Sequence, residues 1–206
     1  MNVTAGAVPA TDIRVRVRRW LKPVVFVACL LPLAWLAVRA AEGGLGANPI
    51  EATIRYLGDW ALRFIVIALA VTPARLLTGL NEIGRLRRMV GLFAFAYVTL
   101  HVMGYVGLDQ FFNWAAIGKD IVKRVYIMFG MAALTMLVPL AITSTDAMAR
   151  RLGGARWRRL HLLVYPAAIA GVIHYFEMIK AGFMQPLIYG LILAALFGVR
   201  LYKKWR

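Results

Sequence analysis

The sequence predicts an all-α integral membrane protein, a six-transmembrane-helix bundle with both termini on the cytoplasmic side. Three observations predict it. Of the 206 residues, 62% are hydrophobic and the mean hydropathy is +0.71, too apolar for a soluble domain of this size. The charged residues, 17% of the chain, lie between long uncharged runs. The cations crowd into every second interval between those runs.

Six runs can be drawn in order, roughly 22–40, 60–78, 89–107, 122–141, 160–179 and 183–200. Each is close to the 17–25 residues that a helix needs to cross a hydrocarbon core. The connections leave no room for a second domain. Residues 1–21 therefore read as a cytoplasmic N-terminal tail and residues 22–206 as one six-helix membrane domain. The basic start followed by an apolar run imitates a secretory signal. Lys22 and Pro23 open that run and Arg39 closes it without a clean small-x-small cleavage site, so it reads as an uncleaved first span. Cys29, the only cysteine, lies inside it, which excludes an intrachain disulfide.

Orientation follows from the cations. Arg14, Arg16, Arg18, Arg19 and Lys22 precede the first span; Arg75, Arg85, Arg87 and Arg88 follow the second. Arg150, Arg151, Arg156, Arg158 and Arg159 follow the fourth, and Arg200, Lys203, Lys204 and Arg206 end the chain. These are eighteen of the 25 Lys and Arg, all on one side of a six-span topology. The other side mixes its few cations with Glu42, Glu51, Asp59, Asp109 and Asp120. The positive-inside rule places the basic side in the cytoplasm. The net charge of +16 needs no nucleic acid to explain it, because the cations divide among helix ends instead of forming one stripe.

The three histidines, His101, His161 and His174, all lie in membrane-length runs. An ionisable group in hydrocarbon is costly and reads as functional by default. His101 and His174 fall at similar depth toward the outer leaflet, on two spans running the same way. His161 lies near the inner surface, thirteen positions or roughly 20 Å from His174 and turned about 140° from it. For each histidine the competing role is an interhelical hydrogen bond to a backbone or hydroxyl group. A zinc site would recruit three or four protein ligands, and a non-heme iron site would add a carboxylate, for which Glu177 is the candidate. Two facing histidines among aromatic and small residues suit a bis-histidine b-type heme better. At the inner level Arg87, Arg88, Arg156 and Arg159 are candidates for heme propionates or a flavin phosphate, since guanidinium binds such anions bidentately. Their other role is to set the topology.

Several segments then resemble one family: GDWAL (58–62), VTP (71–73), RLRRMVGLFAFAYVTLH (85–101), KRVYI (123–127), ITS (142–144) and above all RWRRLHLLVY (156–165). They are similar to the heme-binding membrane subunits of bacterial periplasmic methionine sulfoxide reductase systems, the MsrQ family of the ferric-reductase-like transmembrane superfamily. The resemblance runs from about residue 58 to the C-terminus. It implies a heme-binding membrane domain and a b-type cytochrome of the bacterial inner membrane, with one heme b or two and with FMN. It implies electrons taken from a cytoplasmic flavin reductase or from membrane quinol and passed outward. The recipient would be a periplasmic molybdopterin-containing catalytic subunit that repairs oxidised envelope proteins. His101 and His174 carry over as outer heme ligands and His161 as a ligand nearer the cytoplasm, with Arg87, Arg88, Arg156, Trp157 and Arg159 around the cofactor. The superfamily often has four histidines in two pairs, and this chain has three. Val125 stands where the family pattern has proline. No catalytic residues for sulfoxide reduction are expected, and the outer loops 41–59 and 108–121 are the expected docking surface. The rivals are a stand-alone ferric or quinone reductase, a proton-coupled transporter using the histidines as a relay, and an assembly factor without cofactor.

Overall fold

The computed structural model describes residues 10–179 and 182–205, with side chains described for residues 20–179 and 182–202. Among those residues there is no β-strand, and six helical segments are long and apolar enough to cross a membrane. In chain order they begin with α1 (Ala10–Ala41) and α2 (Pro49–Thr78). A 3-10 turn, Asn81–Arg85, leads into α3 (Leu86–Met103), which ends in a π-helical segment, Gly104–Asp109. Then come α4 (Trp114–Lys123), α5 (Val125–Ile142), and the short α6 (Asp146–Leu152) and α7 (Gly154–Leu160). A 3-10 segment, His161–Leu163, opens α8 (Val164–Met178), and α9 (Met184–Trp205) closes the bundle. Of the expected 1–21 tail, residues 1–9 lie outside the described residues and residues 10–21 form the first turns of α1.

Two loops expected from hydropathy are helical in large part. The second span was expected from residue 60, yet α2 starts at Pro49, a correction with a local cause. Asn48 accepts the Glu51 amide at 3.2 Å, and proline at the first helical position needs no amide partner. The charges that interrupt the apolar run are paired along the helix, Arg55 with Glu51 at 2.6 Å and Arg63 with Asp59 at 3.8 Å. The expected loop 108–121 likewise holds most of α4, capped by Asn113, which accepts the Ala116 amide at 3.0 Å. Between α4 and α5, Arg124 is extended (φ −107°, ψ 101°) and Val125 is the first residue of α5. That is a position proline also tolerates, with an extended residue before it. Valine there keeps the same helix start.

The packing is built from two helix pairs. α2 lies chiefly against α3, and α5 against α8, with lesser contacts joining the pairs. Ala94, Ala167 and Ala168 are at most 2% exposed, small residues that let helix backbones approach in a membrane. α1 and α9 flank the pairs and turn Val24, Leu31, Trp35, Leu187 and Leu191 outward, as lipid contact requires.

Tyr97 ties α1 to the core. It is 0% exposed, its ring centre lies 4.9 Å from that of Phe64, and its hydroxyl donates to the Cys29 carbonyl at 2.8 Å. Tyr97→Phe should therefore lower stability in detergent by about 1 kcal/mol with little change in the fold, measured as a shift of the unfolding midpoint. At the end of the bundle that carries the C-terminus of α9, Arg88 reaches the Asp146 carboxylate at 2.6 Å and holds its carboxyl below the ordinary value by hydrogen bond and charge. A depressed acid contributes stability above its unfolded value and loses it as pH falls through the folded one. An NMR titration of the Asp146 carboxyl should show its midpoint rise in Arg88→Gln.

Candidate metal centre

His101 on α3 and His174 on α8 come together between the two helix pairs. Their ring centres are 6.1 Å apart and their planes cross at 84°. Each ring is held by the partner helix of its own pair. His101 Nδ1 bonds the Ile54 carbonyl of α2 at 2.8 Å, and His174 Nδ1 bonds the Tyr126 carbonyl of α5 at 2.6 Å. A carbonyl only accepts, so each Nδ1 carries the proton and a neutral ring keeps its lone pair on Nε2. Among the described residues neither ring makes a further hydrogen bond. The interhelical bond weighed as an alternative for these histidines is present, and it occupies only one nitrogen of each.

The ring-centre spacing leaves room for a shared metal. Two imidazole nitrogens each about 2 Å from one ion would set the ring centres roughly 6 Å apart. Among the described residues no group of three or more His, Cys, Asp and Glu is placed to hold an ion. Glu177 is exposed. A closed zinc shell or a non-heme iron site thus has no third protein ligand here. Two imidazoles without a third protein ligand would suit the iron of a heme, which brings its own nitrogen ligands.

His161 stands apart, in the 3-10 segment at the other end of the fifth span. Its ring stacks on Trp157 with centres 3.9 Å apart, and its Nδ1 donates to the Trp157 carbonyl at 3.0 Å. Trp157 is fixed in turn, its Nε1 donating to the Thr143 carbonyl at 2.9 Å. Nε2 of His161 is buried without a partner. The Leu140 carbonyl on that side already accepts from Ser144 Oγ at 2.6 Å and makes no well-formed bond to the ring. Of the arginines expected nearby, Arg87 and Arg88 lie within electrostatic range of His161, with Arg88 tied to Asp146. Arg156 and Arg159 are exposed on α7.

Residues 57–172 match the family described as ferric reductase like transmembrane component. A protein of Rhodospirillum rubrum is 63% identical over 177 residues, covering 86% of this chain and 85% of its own length. One of Caulobacter vibrioides is 49% identical over 182 residues, 88% and 85% of the two chains, and one of Polaromonas naphthalenivorans 45% identical over 196 residues, 91% and 89%. All three bear the name protein-methionine-sulfoxide reductase heme-binding subunit MsrQ. The chain belongs to the MsrQ family of ferric-reductase-like transmembrane proteins.

Two features of this MsrQ-family chain escaped the sequence reading. Arg200 counted only as a topology determinant, yet its guanidinium donates to the Tyr165 hydroxyl and, at 2.5 Å, to the Leu69 carbonyl. It also lies over the Tyr165 ring at 5.1 Å, and Arg87 feels its charge. The rule applied to the histidines would have found it, since Arg200 falls inside the last apolar run. The second feature is a cavity of about 570 Å³ at the end of the bundle opposite Arg88, lined by Arg55, Asp59, Tyr175, Met178, Ile179, Gly182 and Gln185. Its Tyr175 hydroxyl donates to Gln185 Oε1 at 2.5 Å. No spacing in the sequence joins α2 to α8 and α9, so this wall was not legible.

Arg200→Lys should lower stability by about 1–3 kcal/mol, because an ammonium lacks the planar fork that reaches both the Leu69 carbonyl and the Tyr165 hydroxyl. The same change at exposed Arg159 should be close to silent in chemical denaturation.

Proposed function

We propose that this chain is a b-type cytochrome subunit that carries electrons across the bacterial inner membrane. They pass to a periplasmic, molybdopterin-containing methionine sulfoxide reductase, which repairs oxidised envelope proteins. The observation that carries the proposal is the His101–His174 pair, whose ring centres are 6.1 Å apart and whose Nδ1 atoms both bond helix carbonyls, leaving Nε2 of each ring without a hydrogen bond among the described residues. The MsrQ relatives are named heme-binding subunits of protein-methionine-sulfoxide reductase, which supports the same reading.

In this proposal His101 and His174 would hold the iron of a heme b through their Nε2 atoms. When bound, heme supplies a reversible one-electron store. The chain fixes the ligand tautomers, orients the rings and sets them among four packed helices. The donation from each Nδ1 to a carbonyl raises the basicity of Nε2, the atom that would bind iron. His161, stacked on Trp157, belongs to a second cofactor level at the basic end. There Arg87, Arg88, Arg156 and Arg159 offer guanidinium groups to heme propionates or to the phosphate of FMN. The excess of cations supports a cytoplasmic place for that end and both termini, where a flavin reductase or membrane quinol would supply the electrons. The opposite end, with the 42–48 loop and α4, is the docking surface for the periplasmic subunit. No residue of this chain touches the sulfoxide in this scheme. Its part is electron delivery, and the partner performs the reduction.

The test is a reduced-minus-oxidised absorbance spectrum of the purified chain, with pyridine hemochrome quantitation. His101→Ala and His174→Ala should each remove most of the low-spin b-type signal of the outer site, and His161→Ala should retain it. A normal low-spin spectrum in both of the first two variants would refute the ligand assignment.

A further inference from the structure

Each histidine of the pair lies against a glycine of the helix that holds it. A Cβ added at Gly58 would stand 3.0 Å from both Cε1 and Nδ1 of His101. One added at Gly130 would stand 2.9 Å from Nδ1 and 3.1 Å from Cε1 of His174. The two glycines are related by register as well as by contact. In an α-helix the carbonyl of residue i accepts from the amide of residue i+4. Gly58 therefore stands one turn after Ile54, and Gly130 one turn after Tyr126, the two residues whose carbonyls bond the rings. The imidazole occupies the space a side chain at i+4 would take, and only from there does its Nδ1 reach the carbonyl sideways. Glycine within a helix is less favourable than alanine. Among the other described helical glycines, Gly91 in α3 has open space and a Cβ at Gly171 in α8 would meet only Leu62 Cδ1 at 3.7 Å, whereas those at Gly104 and Gly154 would meet Ile54 Cγ1 at 3.1 Å and Arg158 Nη1 at 3.2 Å; none of these lies against a histidine ring.

We propose that Gly58 and Gly130 are ligand-positioning residues, each forming with the carbonyl one turn earlier a clamp that sets where the imidazole Nε2 points. The clamp occurs twice, on α2 for His101 and on α5 for His174. A methyl at either position must push its ring by roughly 0.5 Å to regain van der Waals distance, which is the tolerance a ligand site allows. The displaced ring loses its carbonyl bond or its aim. This inference rests on the heme reading above for its ligand, though the clamp itself is a property of the protein without cofactor.

The experiment compares Gly58→Ala and Gly130→Ala with the controls Gly91→Ala and Gly171→Ala in the purified full chain. The readouts are heme retention, the low-spin electron paramagnetic resonance signal and the midpoint potential. Each clamp variant should weaken heme retention about tenfold or more, or shift the low-spin signal and potential, while both controls match the parent. Clamp variants indistinguishable from the parent would overturn the proposal. To separate positioning from helix packing, Gly130→Ala is repeated in a His174→Gly background supplied with free imidazole. Without imidazole the alanine should add no further loss, since no ring remains to be displaced, and with imidazole it should reduce the recovery of the low-spin signal. A defect of undiminished size in the His174→Gly background would assign Gly130 to packing alone and sink the clamp. If the parent chain binds no heme at all, the heme reading fails by itself. The clamp is then judged on the side-chain ¹⁵N resonances of His101 and His174, where a hydrogen-bonded Nδ1–H should be present in the parent and lost in the matching alanine variant.

Discussion

The bond from each imidazole Nδ1 to a backbone carbonyl of the neighbouring helix is the constraint on which the rest depends. A histidine in a membrane span must satisfy two ring nitrogens, and the surrounding hydrocarbon offers neither donor nor acceptor. Giving one nitrogen to a carbonyl fixes the tautomer and leaves the other as a lone pair with no protein partner. That lone pair is available to a metal. The architecture around the pair follows from the need to bring a carbonyl within 2.8 Å of His101 and 2.6 Å of His174. α2 must lie close along α3, and α5 close along α8, which are the two strongest helix contacts in the bundle. Glycines at 58 and 130 permit that closeness at the level of the rings.

The two pairs are alike without being a sequence repeat. In each, a helix near its start offers a carbonyl and, one turn later, a glycine, and the antiparallel partner offers a histidine. Ile54 is an early residue of α2 and Tyr126 the second of α5. The local causes of the two helix starts differ. Asn48 and Pro49 begin α2, whereas the extended Arg124 divides α5 from α4. Different local chemistry thus sets two similar ligand holders at one depth. The remaining helices serve this centre at a distance. Tyr97 draws α1 onto α3 through the Cys29 carbonyl, and Arg200 draws α9 onto α2 and α8 through the Leu69 carbonyl and the Tyr165 hydroxyl.

The end of the bundle with His161 obeys different physics. There the segments ITS and RWRRLH form one unit through Trp157, whose indole bonds the Thr143 carbonyl and whose ring carries His161. The hydroxyl of Thr143 donates to the Pro139 carbonyl at 2.6 Å and that of Ser144 to the Leu140 carbonyl at 2.6 Å, serving carbonyls of the last turn of α5. A buried unpaired Nε2 among arginines is an open valence, and it is why the proposed function includes a second cofactor level.

Hydropathy and charge, which depend only on composition along the chain, were enough for the six spans and the equal depth of His101 and His174, because the helical rise converts residue count into height. The motif segments likewise carried the family. Where those rules met charged residues they ended a span too soon: Glu51, Arg55 and Asp59 hid the first turns of α2, although Asn48-Pro49 marks a helix start. Those turns hold Ile54 and Gly58, so the holder of His101 lay in what read as a loop. Depth could not say which way a ring turns, which carbonyl it finds or which glycine makes room, because these depend on the rotation and separation of helices far apart in sequence. The same holds for Arg200, whose partners lie 35 and 131 residues away. Residue order determined the height of each group in the membrane, and only the packing of α2 on α3 and α5 on α8 decided what each group faces.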